Sequence, residues 1–156
     1  GEKVMETFID RLRVELEIDE GRVESIYLDH LNLPTFGIGH LIKDDDPEYG
    51  QPVGTPVSPQ RVVECFEQDI RITIMDCKKI FDDWDAMREE VKLIMANMMY
   101  NLGYPRFSKF KLMIQAVRDG DHTEAAKQMK QSRWHKQVTN RADRLINRMK
   151  GVDLQS

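Results

Sequence analysis

From Val62 to Phe81 an apolar side chain returns every three or four residues: Val62, Val63, Phe66, Ile70, Ile74, Cys77 and Phe81. That spacing is one face of a helix. Ser58-Pro59 ahead of it supplies a capping hydroxyl and a proline suited to the first helical position. A single helix over residues 58–81 therefore divides the chain into unlike parts. The turn-forming residues concentrate before it, and after it the apolar residues keep helical spacing to the end. Val91, Ile94, Met95, Met98, Met99 and Leu102 form a second stripe, closed by Gly103 and Pro105. Shorter helices are predicted over residues 109–118 and 123–131, and from Thr139 or Asn140 to Met149, with Gly151 as C-cap.

Upstream, Val4, Met5, Phe8, Ile9, Leu12 and Leu16 make a helical stripe that runs into Asp19-Glu20-Gly21, where the glycine stops it. Ser25-Ile26-Tyr27-Leu28-Asp29 and Asn32 to His40 are short and rich in β-branched, aromatic and glycine residues, which predicts a small antiparallel hairpin or sheet. Residues 43–60 hold Asp44-Asp45-Asp46-Pro47, Gly50, Pro52, Gly54, Pro56 and Pro59, a loop. The expected class is α+β and mostly helical, one domain over residues 1–156. A small α+β lobe occupies about 15–57, the connecting helix about 58–81, and a helical lobe about 82–151, with residues 1–14 packed back on it.

At 156 residues the chain can bury roughly two-thirds of its unfolded surface and requires no disulfide or metal. Its composition, 40% hydrophobic and 32% charged, excludes disorder. No apolar run approaches the roughly 18 residues of a membrane span, and the charged opening Gly1-Glu2-Lys3 is unlike a signal peptide. Cys65 and Cys77 lie on one predicted helix, roughly 18 Å apart at about 1.5 Å per residue. A disulfide tolerates about 6 Å, so both are expected as reduced core thiols. The net charge of -4 conceals an asymmetry: residues 1–60 carry 13 acidic and 5 basic side chains, residues 121–151 carry 8 basic and 3 acidic. The basic segment is either a solvated helical face or a surface attractive to a polyanion. Nucleic acid is a poor candidate for that polyanion, and none is expected as a partner, since the whole chain is acidic and holds no nucleic-acid motif. His30, His122 and His135 read as surface residues with no metal spacing. Asp44-Asp45-Asp46 lacks the alternating ligands and glycine of an EF-hand.

The small lobe concentrates Glu20 at a helix end, Asp29 at a strand end and Thr35 in the next strand. A carboxylic acid, a carboxylate and a hydroxyl are the parts needed to hydrolyse a glycosidic bond with an activated water. The same groups at helix and strand ends also serve as ordinary solvated surface, and spacing alone does not choose. Phe36-Gly37-Ile38-Gly39-His40 places glycines inside a strand, a mark of close backbone approach by a ligand or neighbouring chain.

Ile18-Asp19-Glu20-Gly21, Ile26-Tyr27-Leu28-Asp29 and Pro34 to Leu41 resemble the catalytic stretch of phage-type lysozymes, glycoside hydrolase family 24, with the same intervals of nine residues and then six. Asn97 to Gly103, Ser132-Arg133-Trp134 and Thr139 to Arg144 extend the resemblance over about residues 5–151. It implies a lysozyme-like two-lobe fold and a muramidase that cleaves the β-1,4 bond between N-acetylmuramic acid and N-acetylglucosamine of peptidoglycan. Glu20 becomes the general acid, Asp29 the assistant to the attacking water and Thr35 its holder, with inversion expected. Arg141 corresponds to an arginine that reaches towards the acid. Leu41, Tyr100 and Gln128 occupy cleft-lining positions, and His40 with Asp69 matches a stabilising ion pair. No cofactor or metal is implied, and a monomer is expected. The resemblance further implies an endolysin made in the cytoplasm of an infected bacterium and acting on the wall after release. The alternatives are a lysozyme domain of a phage tail protein, or an inactive wall-binding or scaffolding module. A lytic transglycosylase is disfavoured, because those enzymes lack the aspartate partner. The acidic net charge departs from the basic character common in lysozymes, and the proline-rich 43–57 loop is shorter than in the longest relatives.

Overall fold

The computed structural model describes residues 6–154; Val4 and Met5, the first members of the N-terminal stripe, lie outside them. Helix α1 (Phe8–Glu20) opens on Thr7. The Thr7 hydroxyl accepts from the Asp10 amide and the Asp10 carboxylate accepts from the Thr7 amide, both at 3.1 Å. This reciprocal pair satisfies donors that a helix start leaves open. Leu12 and Leu16 take the buried face, both 0% exposed. Gly21 ends the helix at φ 72, a conformation an L side chain resists, and its amide bonds back to the Glu17 carbonyl at 2.9 Å. Glu20 is thereby the last helical residue, with the strands directly ahead.

Strands β1 (Val23–Leu28), β2 (Pro34–Gly37) and β3 (His40–Leu41) form one antiparallel sheet in that order. The β1–β2 turn closes with the Asp29 amide on the Leu33 carbonyl at 3.0 Å and the Asn32 amide on the Asp29 carbonyl at 2.9 Å. Asn32 sits at φ 61, which asparagine tolerates better than most residues. In register, Tyr27 faces Thr35 and Thr35 faces Leu41. The end of the 43–57 loop runs along the other edge of β1. The Ile26 amide donates to the Thr55 carbonyl at 2.9 Å, the Gly54 amide to the Ile26 carbonyl at 2.8 Å, and the Val57 amide to the Glu24 carbonyl at 3.0 Å. A bare strand edge invites mispairing, and the loop covers this one.

Helix α2 (Pro59–Ile80) starts as predicted, with the Arg61 amide on the Ser58 hydroxyl at 3.1 Å. The chain forms two compact units that divide within α2, between Ile72 and Thr73. In the first unit α1 is tied to α2 by Arg13, whose Nε and Nη2 donate to the two Glu67 carboxylate oxygens at 2.7 and 2.9 Å.

The second unit centres on α3 (Glu89–Leu102), where Val91, Leu93, the run from Ile94 to Met99 and Leu102 are all buried. A helix apolar on nearly every side belongs in a core. Helices α4 (Tyr104–Phe107) and α8 (Thr139–Gly151) pack on α3. Helix α6 (His122–Lys130) packs on α5 (Lys111–Arg118) and α8, and α7 (Arg133–Gln137) on α8. Short 3-10 turns lie at Trp84–Ala86 and Val152–Leu154. Eight α-helices and one small antiparallel sheet among the described residues give the mostly helical α+β class expected. Two details differ. Helices α4 and α7, of 4 and 5 residues, are too short to show an apolar period and were not predicted. Gly151 is no C-cap: it lies inside α8, and Val152 continues right-handed at φ -55 because its side chain is buried at 1% exposure.

Candidate active site

Glu20 stands half-buried at the end of α1 and its side chain lies against the backbone of Gly39, in the turn between β2 and β3. A Cβ added at Gly39 would overlap Glu20 Oε2 and stand 2.8 Å from Cδ and 3.1 Å from Cγ. Gly39 also sits at φ 65, so a side chain there is excluded twice, by conformation and by the carboxyl. The glycine-rich strand predicted a close approach, and the group that approaches is Glu20.

Asp29 leaves β1 and organises the turn that follows. Its Oδ1 accepts from the Leu31 amide at 2.8 Å and from the Leu33 amide at 2.9 Å, an Asx turn that fixes the carboxylate on its own backbone. Thr35, 3% exposed, donates its hydroxyl to the Leu33 carbonyl at 2.9 Å. The Asp29 turn and Thr35 thus share Leu33: its amide donates to the Asp29 carboxylate, and its carbonyl accepts from both the Asp29 amide and the Thr35 hydroxyl.

The register aligns Tyr27, Thr35 and Leu41 as neighbours across three strands. Directly opposite residues in antiparallel strands share a face. Leu41 is 42% exposed. Tyr27 is half-buried, and burial together with the charges of Glu20 and Asp29 raises its phenol above the ordinary tyrosine value. One hydroxyl therefore lies in the field of both carboxylates. Tyr27 was not among the residues singled out from sequence. Its signal was available: strand alternation places it two positions before Asp29, on the side opposite buried Ile26.

His40 belongs to the scaffold beneath. It is 5% exposed, with Nδ1 against Asp69 Oδ2 at 2.6 Å and Nε2 against Asp46 Oδ2 at 2.9 Å. Burial opposes a charged ring, yet the hydrogen bonds and charges of Asp69 and Asp46 outweigh it and the His40 pKa is raised. Arg61 Nη2 donates to Asp46 Oδ1 at 3.2 Å and Arg61 Nε to Glu48 Oε2 at 3.0 Å, so the network runs from α2 through the loop to β3. The expected His40–Asp69 pair is present, and Asp46, read only as part of an acidic loop, is its third member.

The other residues expected from the resemblance lie in the second unit. Tyr100 is half-buried on α3. Gln128 on α6 donates to Glu124 at 2.8 Å. Arg141 on α8 is 7% exposed and its Nε donates to Asn97 Oδ1 at 2.8 Å. Trp134, 2% exposed, donates its indole N–H to Asn101 Oδ1 at 2.7 Å. Two histidines correct the surface reading. His122 is buried at 8% exposure against Asp153 at 2.7 Å, and half-buried His135 bonds Asp143 at 2.7 Å. Each ring turns inward while its aspartate partner keeps solvent contact, which composition does not reveal. Among the described residues no cluster of three His, Cys, Asp or Glu side chains is arranged to hold a metal ion.

The family model described as phage lysozyme matches residues 17–151. The chain is 29% identical to probable T4-type lysozyme 2 of Dictyostelium discoideum over 161 positions, covering 89% of this chain and 93% of that protein. It is 28% identical over 148 positions to the pre-baseplate central spike protein Gp5 of Enterobacteria phage T4, covering 83% of this chain and 26% of that protein. It is 24% identical over 113 positions to peptidoglycan hydrolase gp36 of Pseudomonas phage phiKMV, covering 72% of this chain and 12% of that protein. The chain thus spans nearly the whole of the first relative and a minor part of the two phage proteins.

Proposed function

The chain belongs to the phage lysozyme family, and we propose that it is a muramidase, hydrolysing the β-1,4 bond between N-acetylmuramic acid and N-acetylglucosamine of bacterial peptidoglycan. The observation that carries this reading is the gathering of Glu20, Asp29 and the Thr35 hydroxyl around one small sheet, within the segment that matches the family. Glu20 protonates the departing sugar oxygen as the glycosidic bond breaks. The attacking water gives its own proton to Asp29 and its oxygen to the anomeric carbon. Asp29 Oδ1 already accepts two amides, so the incoming proton goes to Oδ2. Thr35 spends its hydroxyl hydrogen on the Leu33 carbonyl, so it meets the water as an acceptor and turns a water lone pair towards the sugar. A water held on the far face inverts the anomeric centre, which calls for carboxyl groups roughly 6.5–9.5 Å apart. Neither step uses a cofactor.

The whole chain acts in this reading as one monomeric catalytic domain. It is made in the cytoplasm of the infected bacterium and reaches the wall after release; no described helix is long and apolar enough to cross a membrane. Clearing of permeabilised Gram-negative cells, followed by analysis of the fragments, tests the activity. Reducing ends with the α-anomer formed first are expected. A 1,6-anhydro product assigns a lytic transglycosylase instead, and β-anomer as the first product removes inversion while leaving hydrolysis. The similarity to the phage T4 spike protein favours a second setting, in which the same chemistry serves a longer tail protein. The mass of the native gene product in infected cells separates the two.

A further inference from the structure

The geometry points to Tyr27 as a further saccharide-contacting residue, its hydroxyl donating to a sugar oxygen over the Tyr27–Thr35–Leu41 row and its ring covering the sugar's C–H face; this rests on the muramidase reading. Cross-strand register sets Tyr27 beside Thr35, and Thr35 beside exposed Leu41, in one row over the sheet. Strand alternation sends neighbouring Ile26, 1% exposed, into the core and leaves Tyr27 half-exposed on the opposite side. Tyrosine suits a place where its ring lies against the fold and its hydroxyl faces water or a ligand. Among the described residues none bonds the Tyr27 hydroxyl. Glu20 and Asp29 both bear electrostatically on it, so it lies near both.

The chemistry suits a sugar. A saccharide presents a polar rim of hydroxyl and acetamido oxygens and a less polar C–H face, and tyrosine offers a donor on an aromatic plate. It is also a neutral donor. A lysine or arginine at this position would pair with a carboxylate and compete with the substrate for it, whereas a phenol binds an uncharged sugar oxygen and leaves both carboxyl groups to their roles.

The test uses the full-length Glu20→Gln protein, which binds without cleaving, and a soluble uncrosslinked glycan of alternating N-acetylglucosamine and N-acetylmuramic acid. Calorimetry compares it with the same protein carrying Tyr27→Phe or Tyr27→Leu. Tyr27→Phe removes one neutral hydrogen bond and is expected to weaken binding about three- to tenfold with an unchanged melting temperature. Tyr27→Leu also removes the ring and weakens binding further. If Tyr27→Leu lowers the melting temperature, Tyr27→Phe alone decides, since it retains the ring. Binding of the glycan by the Tyr27→Phe protein as tightly as by its parent overturns the inference and leaves the muramidase reading standing. Absence of glycan binding by the Glu20→Gln parent takes down both.

Discussion

Glu20 rests on bare backbone at Gly39, and this makes the glycine a positioning residue for the proposed acid. Gly39→Ala puts a methyl where the carboxyl lies and adds roughly 1–2 kcal/mol of left-handed backbone strain. The carboxyl end of Glu20 is the softer partner, so it is the group that moves. A 1 Å displacement of a reacting group can cost on the order of 10²-fold. The expected result is protein that still melts cooperatively but has lost most wall lysis; full lysis would show that the seat is not needed. Glu20→Gln keeps the volume of the side chain and deletes the transferable proton. Turbidity clearing should fall by about 10²–10⁴-fold at an unchanged melting temperature, and a mutant keeping a tenth of normal activity would sink the assignment. Glu20, Asp29 and Thr35 were legible in the sequence because each falls at a motif position. Tyr27 and Asp46 were not: one resembles strand filler and the other one of three consecutive loop acids, and only register and folding give them neighbours.

At the scale of elements, β3, the 43–57 loop and α2 meet at His40. A ring with both nitrogens on carboxylates holds its proton, so the His40 pKa is raised and its tie is fully present below about 6.5. The contribution is lost as pH climbs through the folded value. For Asp46, burial works against the charge, but the Lys43 amide, His40 and Arg61 outweigh it and the pKa is lowered. Its contribution is present above about 3.9 and is lost as pH falls through the folded value. Stability should therefore crest in mildly acidic solution. Denaturant midpoints measured across pH check this, and His40→Asn should flatten the alkaline limb. A double-mutant cycle of His40→Asn with Asp69→Asn should return a coupling of roughly 0.5–3 kcal/mol; strict additivity would show no interaction. The long helices α2 and α3 were readable because a burial period repeats over several turns, and the sheet because its glycines and β-branched residues fall together. Buried Val152, which carries the chain from α8 into a 3-10 turn past Gly151, was not, because local glycine chemistry says stop and only the packed end of the second unit says continue.

For the molecule as a whole, both thiols are internal. Cys65 is 1% exposed and Cys77 0%, neither is bridged, and they occupy one helix. Burial pushes both thiols up, Cys65 to about 12 despite the pull of Arg61. The thiolate is the reactive form, so a thiol-specific reagent should label neither cysteine in the native chain and both in denaturant. Rapid native labelling would contradict their burial. Refolding should need no oxidant. The division of the chain between Ile72 and Thr73 carries a different consequence. It falls in the middle of α2, which runs unbroken from Pro59 to Ile80. A protease cuts most readily at an exposed loop, and a helix interior does not offer one. Residues 49–54 do, exposed six in a row. Limited digestion should therefore nick the chain well ahead of the boundary between its units, and the fragment map would misreport where one unit ends and the next begins.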